Sequence, residues 1–269
     1  MIIKNFRILA MLGIIYLAFP FYTQAQIKQD LSAFDRGTYA YKADTLPYRI
    51  LFPRHFDPKQ KYPLLIMLHG AGERGNDNNA QLAYGTEMLL NDTIRDKYPA
   101  IVVLPQCPKD GYWSNVDIQK DDKGKRSYHF QEGGEPTPAM HALLGLVEQF
   151  LDKPYVNKKR VYVGGLSMGG MGTLELLRRK PKVFAAAFAI AGGDNSNNVE
   201  KYARRVPLWI FHGAKDSIVS LDHAEVVVAA LRNTGADPKF TIYPTLGHNC
   251  WNKAFSEPDL IPWLFSNSK

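Results

Sequence analysis

The chain has 269 residues, 45% of them hydrophobic and 22% charged, with a formal charge of +7. That is the make-up of an ordinary folded domain, not of a disordered or collagen-like chain. The basic excess is scattered: its densest patch, Asp117 to Arg126, mixes aspartates with lysines and an arginine, so no nucleic-acid partner is expected.

The two cysteines, Cys107 and Cys250, fit no C-x-x-C or Cys/His spacing, and no two of the seven histidines form an H-x-x-x-H pair. No metal site is expected, and whether the cysteines pair stays open. At the N-terminus, Lys4 and Arg7 precede an uncharged run from Ile8 to Tyr22, followed by Thr23-Gln24-Ala25. The run is shorter than the roughly 20 apolar residues that span a bilayer. It reads as a cleaved export signal over residues 1–25, not a stable membrane anchor, with the mature chain starting at Gln26. Loss of Lys4 and Arg7 takes the charge from +7 to +5. The expected location is the periplasm or the medium, and residues 38–268 are expected to form one domain.

Thr38 to Ala43 and Tyr48 to Pro53 read as an opening hairpin. Leu64 to Leu68 is a continuous apolar run of the kind buried on both faces of a parallel sheet. A helix over Asn78 to Leu90 and a buried strand over Ile101 to Leu104 follow. From Gln106 to Thr137 the sequence is polar and rich in glycine and proline, with Tyr112, Trp113, Tyr128 and Phe130 at no period that would bury them. It reads as a loop excursion over one end of the sheet, and long loops with exposed aromatics are commonly binding loops.

Thr137 as N-cap and Pro138 at the first helical position open a helix with a wide apolar face, from Met140 to Leu151. A strand (Val161 to Val163), a tight turn and a helix through Leu177 come next, then strands at Ala185 to Ile190 and Leu208 to Phe211. Ser220 caps a helix through Leu231, Lys239 to Tyr243 is the last strand, and a helical segment interrupted by Pro258 and Pro262 reaches Phe265. Alternating strand and helix predict an α/β domain with a mostly parallel central sheet and helices on both faces.

The turn between strand and helix is Gly165-Leu166-Ser167-Met168-Gly169. G-x-S-x-G arises by chance in roughly one chain in ten of this length, so its weight comes from context. A serine there is lifted off the sheet at a helix N-terminus, whose unpaired N-H groups favour negative charge. Asp216 and His248 follow later strands, giving the order Ser, Asp, His along the carboxyl edge of the sheet. Imidazole, with an ordinary pKa of about 6.5, can take and return the Ser167 proton. Asp216 would hold the second ring nitrogen, with Asp194 as the rival acid and a turn cap as the alternative role of Asp216. Backbone N-H groups of Met168 and of Ala71, or else Gly72, would receive an oxyanion. Tyr112 and Trp113 are expected to line the substrate wall. His69 and His212 read as structural, holding loop backbone; His141 reads as a satisfied surface or core residue; His55, His129 and His223 lie in polar surroundings.

The motifs LHGAGERG (68–75), LPQCP (104–108), GGLSMGGMGT (164–173), FHGAKD (211–216) and GHNCW (247–251) together resemble the exported α/β-hydrolase serine esterases. Those esterases are related to carbohydrate esterase family 1, with its feruloyl and acetyl esterases, and to the phospholipase/carboxylesterase group. The resemblance implies an α/β-hydrolase fold and a serine esterase with Ser167, Asp216 and His248 as nucleophile, acid and base and no cofactor. The implied substrate is a small-molecule or polysaccharide-linked ester. A prolyl-oligopeptidase-like peptidase and a non-catalytic binding protein on the same fold are the alternatives.

Overall fold

Apolar runs bounded by turn residues form one eight-stranded sheet in the computed structural model of the chain, which describes residues 30–42 and 44–269. The export-signal reading of residues 1–25 lies outside the described residues, as does Ala43. The opening hairpin pairs β1 (Phe34–Tyr41) antiparallel with β2 (Asp44–Leu51) and begins earlier than the sequence suggests, because Phe34 is itself buried against the core. The central strand β3 (Tyr62–Leu68) is buried along its whole length.

The single helix expected over Asn78 to Leu90 is broken. A 3-10 turn at Ala80–Leu82 precedes α1 (Thr86–Leu90), and α2 (Asp92–Lys97) follows at once. Gly85 is the break: its φ of 78° is open to glycine and strained for other residues. Asn91 then starts α2 by accepting the Ile94 N-H at 3.1 Å.

After β4 (Ile101–Pro105) the excursion from Gln106 to Thr137 is more ordered than its composition suggests. It holds a hairpin, β5 (Val116–Lys120) against β6 (Arg126–Phe130), forming a small second sheet. Polar contacts pin this segment to the body. The Asn115 N-H donates to Glu175 Oε2 at 2.6 Å, and Arg179 Nη2 donates to the Gly134 carbonyl at 2.9 Å. Asn198 accepts the Gly133 N-H at 3.0 Å and donates to the Gln131 carbonyl at 3.0 Å.

The remaining elements alternate: α3 (Pro138–Leu151), β7 (Val156–Leu166), α4 (Met168–Arg179), β8 (Ala186–Ile190), β9 (Leu208–Gly213), α5 (Leu221–Asn233) and β10 (Lys239–Tyr243). Thr137 and Ser220 cap α3 and α5 with their side chains, as expected. The C-terminal segment forms α6 (Trp251–Phe255) and α7 (Leu260–Ser266). Pro258 separates them. Pro262 does not interrupt α7, because it occupies the first turn, where a helix has no use for the missing N-H.

The strand order is β1-β2-β4-β3-β7-β8-β9-β10, antiparallel for β1 with β2 and β2 with β4 and parallel thereafter. Alternate residues of β3 feed two separate cores. Leu64, Ile66 and Leu68 pack with α3, α4 and α5 on one face; Leu65 and Met67 pack with α1, α6 and α7 on the other. Cys107 belongs to the first core and Cys250 to the second, so the sheet stands between them, and both are unpaired and fully buried. Among the described residues no helix is long and apolar enough to cross a membrane.

Candidate active site

The turn from β7 into α4 places Ser167 above the carboxyl edge of the sheet. Its backbone is held at φ 53° and ψ −118°, a conformation that costs a non-glycine residue about 1–3 kcal/mol. Neighbouring hydrogen bonds impose it: the Ser167 N-H donates to the Ile190 carbonyl at 2.7 Å, and the Ser167 carbonyl accepts the Met171 N-H at 3.0 Å. Close packing imposes it as well. A Cβ on Gly169 would collide with the Leu68 carbonyl, so the first turn of α4 passes directly over the end of β3.

Three side chains from separate elements meet at this turn. Ser167 Oγ lies 2.9 Å from His248 Nε2, and His248 Nδ1 lies 2.7 Å from Asp216 Oδ2. His248 comes from the loop after β10 and Asp216 from the loop after β9. Both the turn-cap role and the imidazole-holding role weighed for Asp216 are present, on different oxygens. Oδ1 accepts the N-H groups of Ile218 and Val219 at 2.9 Å each, while Oδ2 faces His248. Burial by itself raises the Asp216 carboxyl pKa. Hydrogen bonds from His212 and His248, the charge of His248 and the Val219 N-H outweigh it and hold the group well below the usual carboxylate range. An ionised, oriented carboxylate therefore backs the imidazole, and the chain of groups can move a proton off a serine hydroxyl.

Two segments flank Ser167. Met168 opens α4, and the first N-H groups of a helix lack intrahelical partners. The loop after β3 runs into a 3-10 turn, Ala71–Glu73, and Gly70 lies against the turn that carries Ser167: a Cβ there would stand 2.9 Å from Leu166 Cδ1 and 3.6 Å from Ser167 Cβ. His69 holds this loop. Burial lowers its pKa to about 4, so the ring is neutral. Its Nε2 accepts the Cys107 N-H at 2.9 Å, and Nδ1 donates to the Gly70 carbonyl at 2.6 Å.

The other candidates separate clearly. Asp194, the rival acid, is buried and accepts from Asn195 N-H at 2.7 Å and Asn198 Nδ2 at 2.9 Å, both in the segment after β8, while the imidazole of His248 meets Asp216. Trp113 is not a substrate wall. Its exposure is 0%, because it packs under α4 against Gly172 with its ring 5.6 Å from that of His69. Tyr112 stays half-buried, with its hydroxyl 3.7 Å from Met171 Sδ, one turn along the helix that Ser167 precedes. His55, His129 and His141 are exposed. His223 departs from the polar setting expected of it, with its ring edge-on to Phe130 at 5.3 Å and Tyr128 at 6.1 Å. Sequence reasoning gave His212 only a backbone role and missed its approach to Asp216. The signal available was its place at the end of β9, four residues before the aspartate.

A family model described as phospholipase/carboxylesterase matches residues 57–258, which take in Ser167, Asp216 and His248. The chain belongs to the phospholipase/carboxylesterase family. It is thus a serine carboxylic ester hydrolase by family, on the α/β-hydrolase fold. Among curated relatives it is similar to lysophospholipase-like protein 1 of Mus musculus, 29% identical over 210 residues, with 75% of this chain and 85% of that protein covered. A bifunctional acetylxylan esterase/xylanase of Neocallimastix patriciarum is 27% identical over 163 residues, covering 61% of this chain and 20% of that protein. Among solved structures, a thermostable esterase superposes with TM-score 0.77 at 30% identity over 88% of this chain and 64% of that one. A ferulic acid esterase superposes at 0.63 and 19% identity, covering 87% and 97%, and shares the fold. The chain thus spans most of the mouse relative, a fifth of the acetylxylan esterase/xylanase and under two thirds of the thermostable esterase.

Proposed function

We propose that this carboxylesterase is an exported serine esterase working through an acyl-enzyme on Ser167, with feruloyl or acetyl esters of plant polysaccharides, or small carboxylic esters, as substrates. The supporting observation is the unbroken hydrogen-bonded path from Ser167 Oγ through His248 to an ionised Asp216. In this reading Ser167 Oγ attacks the ester carbonyl carbon while its proton passes to His248 Nε2. The carbonyl oxygen becomes an oxyanion facing the N-H groups of Met168 and of Ala71 or Gly72. The C-O bond to the alcohol breaks as His248 returns the proton to the leaving oxygen. Water then attacks the acyl-enzyme with His248 as base, and Ser167 regains its proton as the acid departs. Polysaccharide esters draw support from the similarity to the acetylxylan esterase/xylanase.

The test compares kcat/KM on methyl ferulate, p-nitrophenyl acetate and a chromogenic prolyl amide, with Ser167→Ala as blank. Hydrolysis of both esters, lost in the variant, supports the full reading. Acetate cleavage alone removes the feruloyl assignment; amide turnover at a rate matching the esters favours a peptidase; equal activity in the variant overturns the role of Ser167. Export is tested separately, by the N-terminal sequence of the protein recovered outside the cytoplasm, expected to start at Gln26.

A further inference from the structure

Arg74 ends the 3-10 turn that follows β3, and its guanidinium engages two segments at once. Nε donates to the Ala71 carbonyl at 2.9 Å, and Nη1 donates to the Gly111 carbonyl at 3.1 Å. The guanidinium also sits 6.0 Å from the Tyr112 ring centroid. The first contact reaches the turn beside Ser167; the second and third reach the start of the excursion.

A peptide unit is planar and trans, so fixing its C=O also fixes the direction of the N-H on the far side. His69, by holding the Gly70 carbonyl, orients the Ala71 N-H. Arg74, by holding the Ala71 carbonyl, orients the Gly72 N-H and fixes how the two successive peptides turn. Both candidates for the second oxyanion donor therefore depend on a side-chain hold, one from each side of the turn. The guanidinium suits its half of the task because its planar fork supplies two donors in fixed directions, whereas an ammonium is a single flexible point.

We infer that Arg74 is a positioning residue: through the Ala71 carbonyl it aligns the turn carrying the second oxyanion donor, and through the Gly111 carbonyl and Tyr112 it ties that turn to the excursion. The inference rests on Ser167 being the nucleophile. Donor and excursion are then held at a fixed spacing by one side chain. Misplacing a donor by a fraction of an ångström costs less than deleting it, and deletion costs about 100- to 1,000-fold in kcat. Loss of the guanidinium should therefore lower kcat about 10- to 100-fold.

The experiment measures kcat and KM on p-nitrophenyl acetate for wild type, Arg74→Ala, Arg74→Lys and Ser167→Ala, with thermal midpoints, and repeats Arg74→Ala in millimolar guanidinium chloride. Acetate has too small an acyl group to need the excursion, so KM should stay within about threefold while kcat falls. Arg74→Lys should recover only part of the loss, and free guanidinium should raise kcat of Arg74→Ala several-fold. If Arg74→Ala does not fold, the split between kcat and KM in Arg74→Lys decides. Wild-type kcat in either folded variant overturns the inference, as does a kcat loss that guanidinium leaves unchanged in a folded Arg74→Ala. An active Ser167→Ala overturns instead the reading on which the inference rests.

Discussion

His212 Nε2 lies 3.2 Å from Asp216 Oδ2 and 2.9 Å from the Val219 carbonyl, so one ring N-H is shared between the carboxylate and the turn that follows it. Both residues are buried, and the contact adds a second imidazole to the oxygen that faces His248. His212→Phe keeps a flat ring and removes the donor. A hydrogen bond to a charged group contributes about 1.5–3 kcal/mol, and only part of that bears on the transition state. We expect kcat to fall about 10-fold with KM nearly unchanged, against about 10,000-fold for Asp216→Asn, which disturbs the tautomer of His248. Steady-state kinetics of the two variants on one ester checks the ranking.

The backbone conformation of Ser167 gives a stability prediction opposite in sign to its effect on activity. Glycine adopts φ 53° without the penalty a side chain incurs. Ser167→Gly and Ser167→Ala should both be inactive, yet the glycine variant should be the more stable by about 1 kcal/mol after its greater unfolded-state entropy is allowed for. Urea unfolding of the two proteins measures the difference.

Trp113→Ala should act on stability. With no exposed surface, contact with Gly172 and its ring near His69, the indole is core, and its removal should cost about 3–5 kcal/mol. Urea midpoints read the loss. A variant of near wild-type stability with selectively raised KM for aromatic esters would restore the substrate-wall reading.

Two buried groups should tilt the pH dependence of stability in opposite directions. His69 titrates at about 4 in the fold instead of 6.5, chiefly through burial. Between those values the unfolded chain binds more protons, so the stability this residue contributes above pH 6.5 is lost as pH falls toward 4. Asp194 is raised from 3.8 to about 6, again chiefly by burial. There the folded chain binds more protons, so stability is greatest below pH 3.8 and is lost as pH rises through 6. Each contributes about 3 kcal/mol across its window, and the two nearly cancel. His69→Gln should therefore gain stability on going from pH 7 to 4.5 relative to wild type, and Asp194→Asn should lose it. Urea unfolding at several pH values separates the slopes.

The alternation of buried runs with helical periods made the parallel sheet readable, because strands covered on both faces have no polar alternative. The strand-turn-helix at Ser167, the chain order that brings Ser167, Asp216 and His248 to one end of the sheet and the backbone role of His69 were readable too, since strand ends are fixed points along the sequence. Less legible were contacts made at a distance. Trp113 and Tyr128 sit among polar residues in sequence, and their burial comes from α4 and Val219, far along the chain. The β5-β6 hairpin did leave a trace: Val116 and Ile118 alternate on one strand, Tyr128 and Phe130 on the other, around a turn closed by Asp121 Oδ1 and Gly124 at φ 78°. Its surrounding charges obscured a period of two. The roles of His212 and Arg74 depend on the loops being folded, so no local pattern carries them.

The two separated cysteines turn the core into a reporter of its own opening. Burial raises the Cys107 and Cys250 thiols to about 12 and about 11, and it is the thiolate that reacts with disulfide reagents or maleimides. In the closed fold at neutral pH both should be silent. Each becomes labelled only when its own layer loosens, Cys107 beside His69 in the loop after β3 and Cys250 beside His248. Mass-resolved labelling kinetics would thus time the breathing of the two faces of the sheet independently, with no engineered probe.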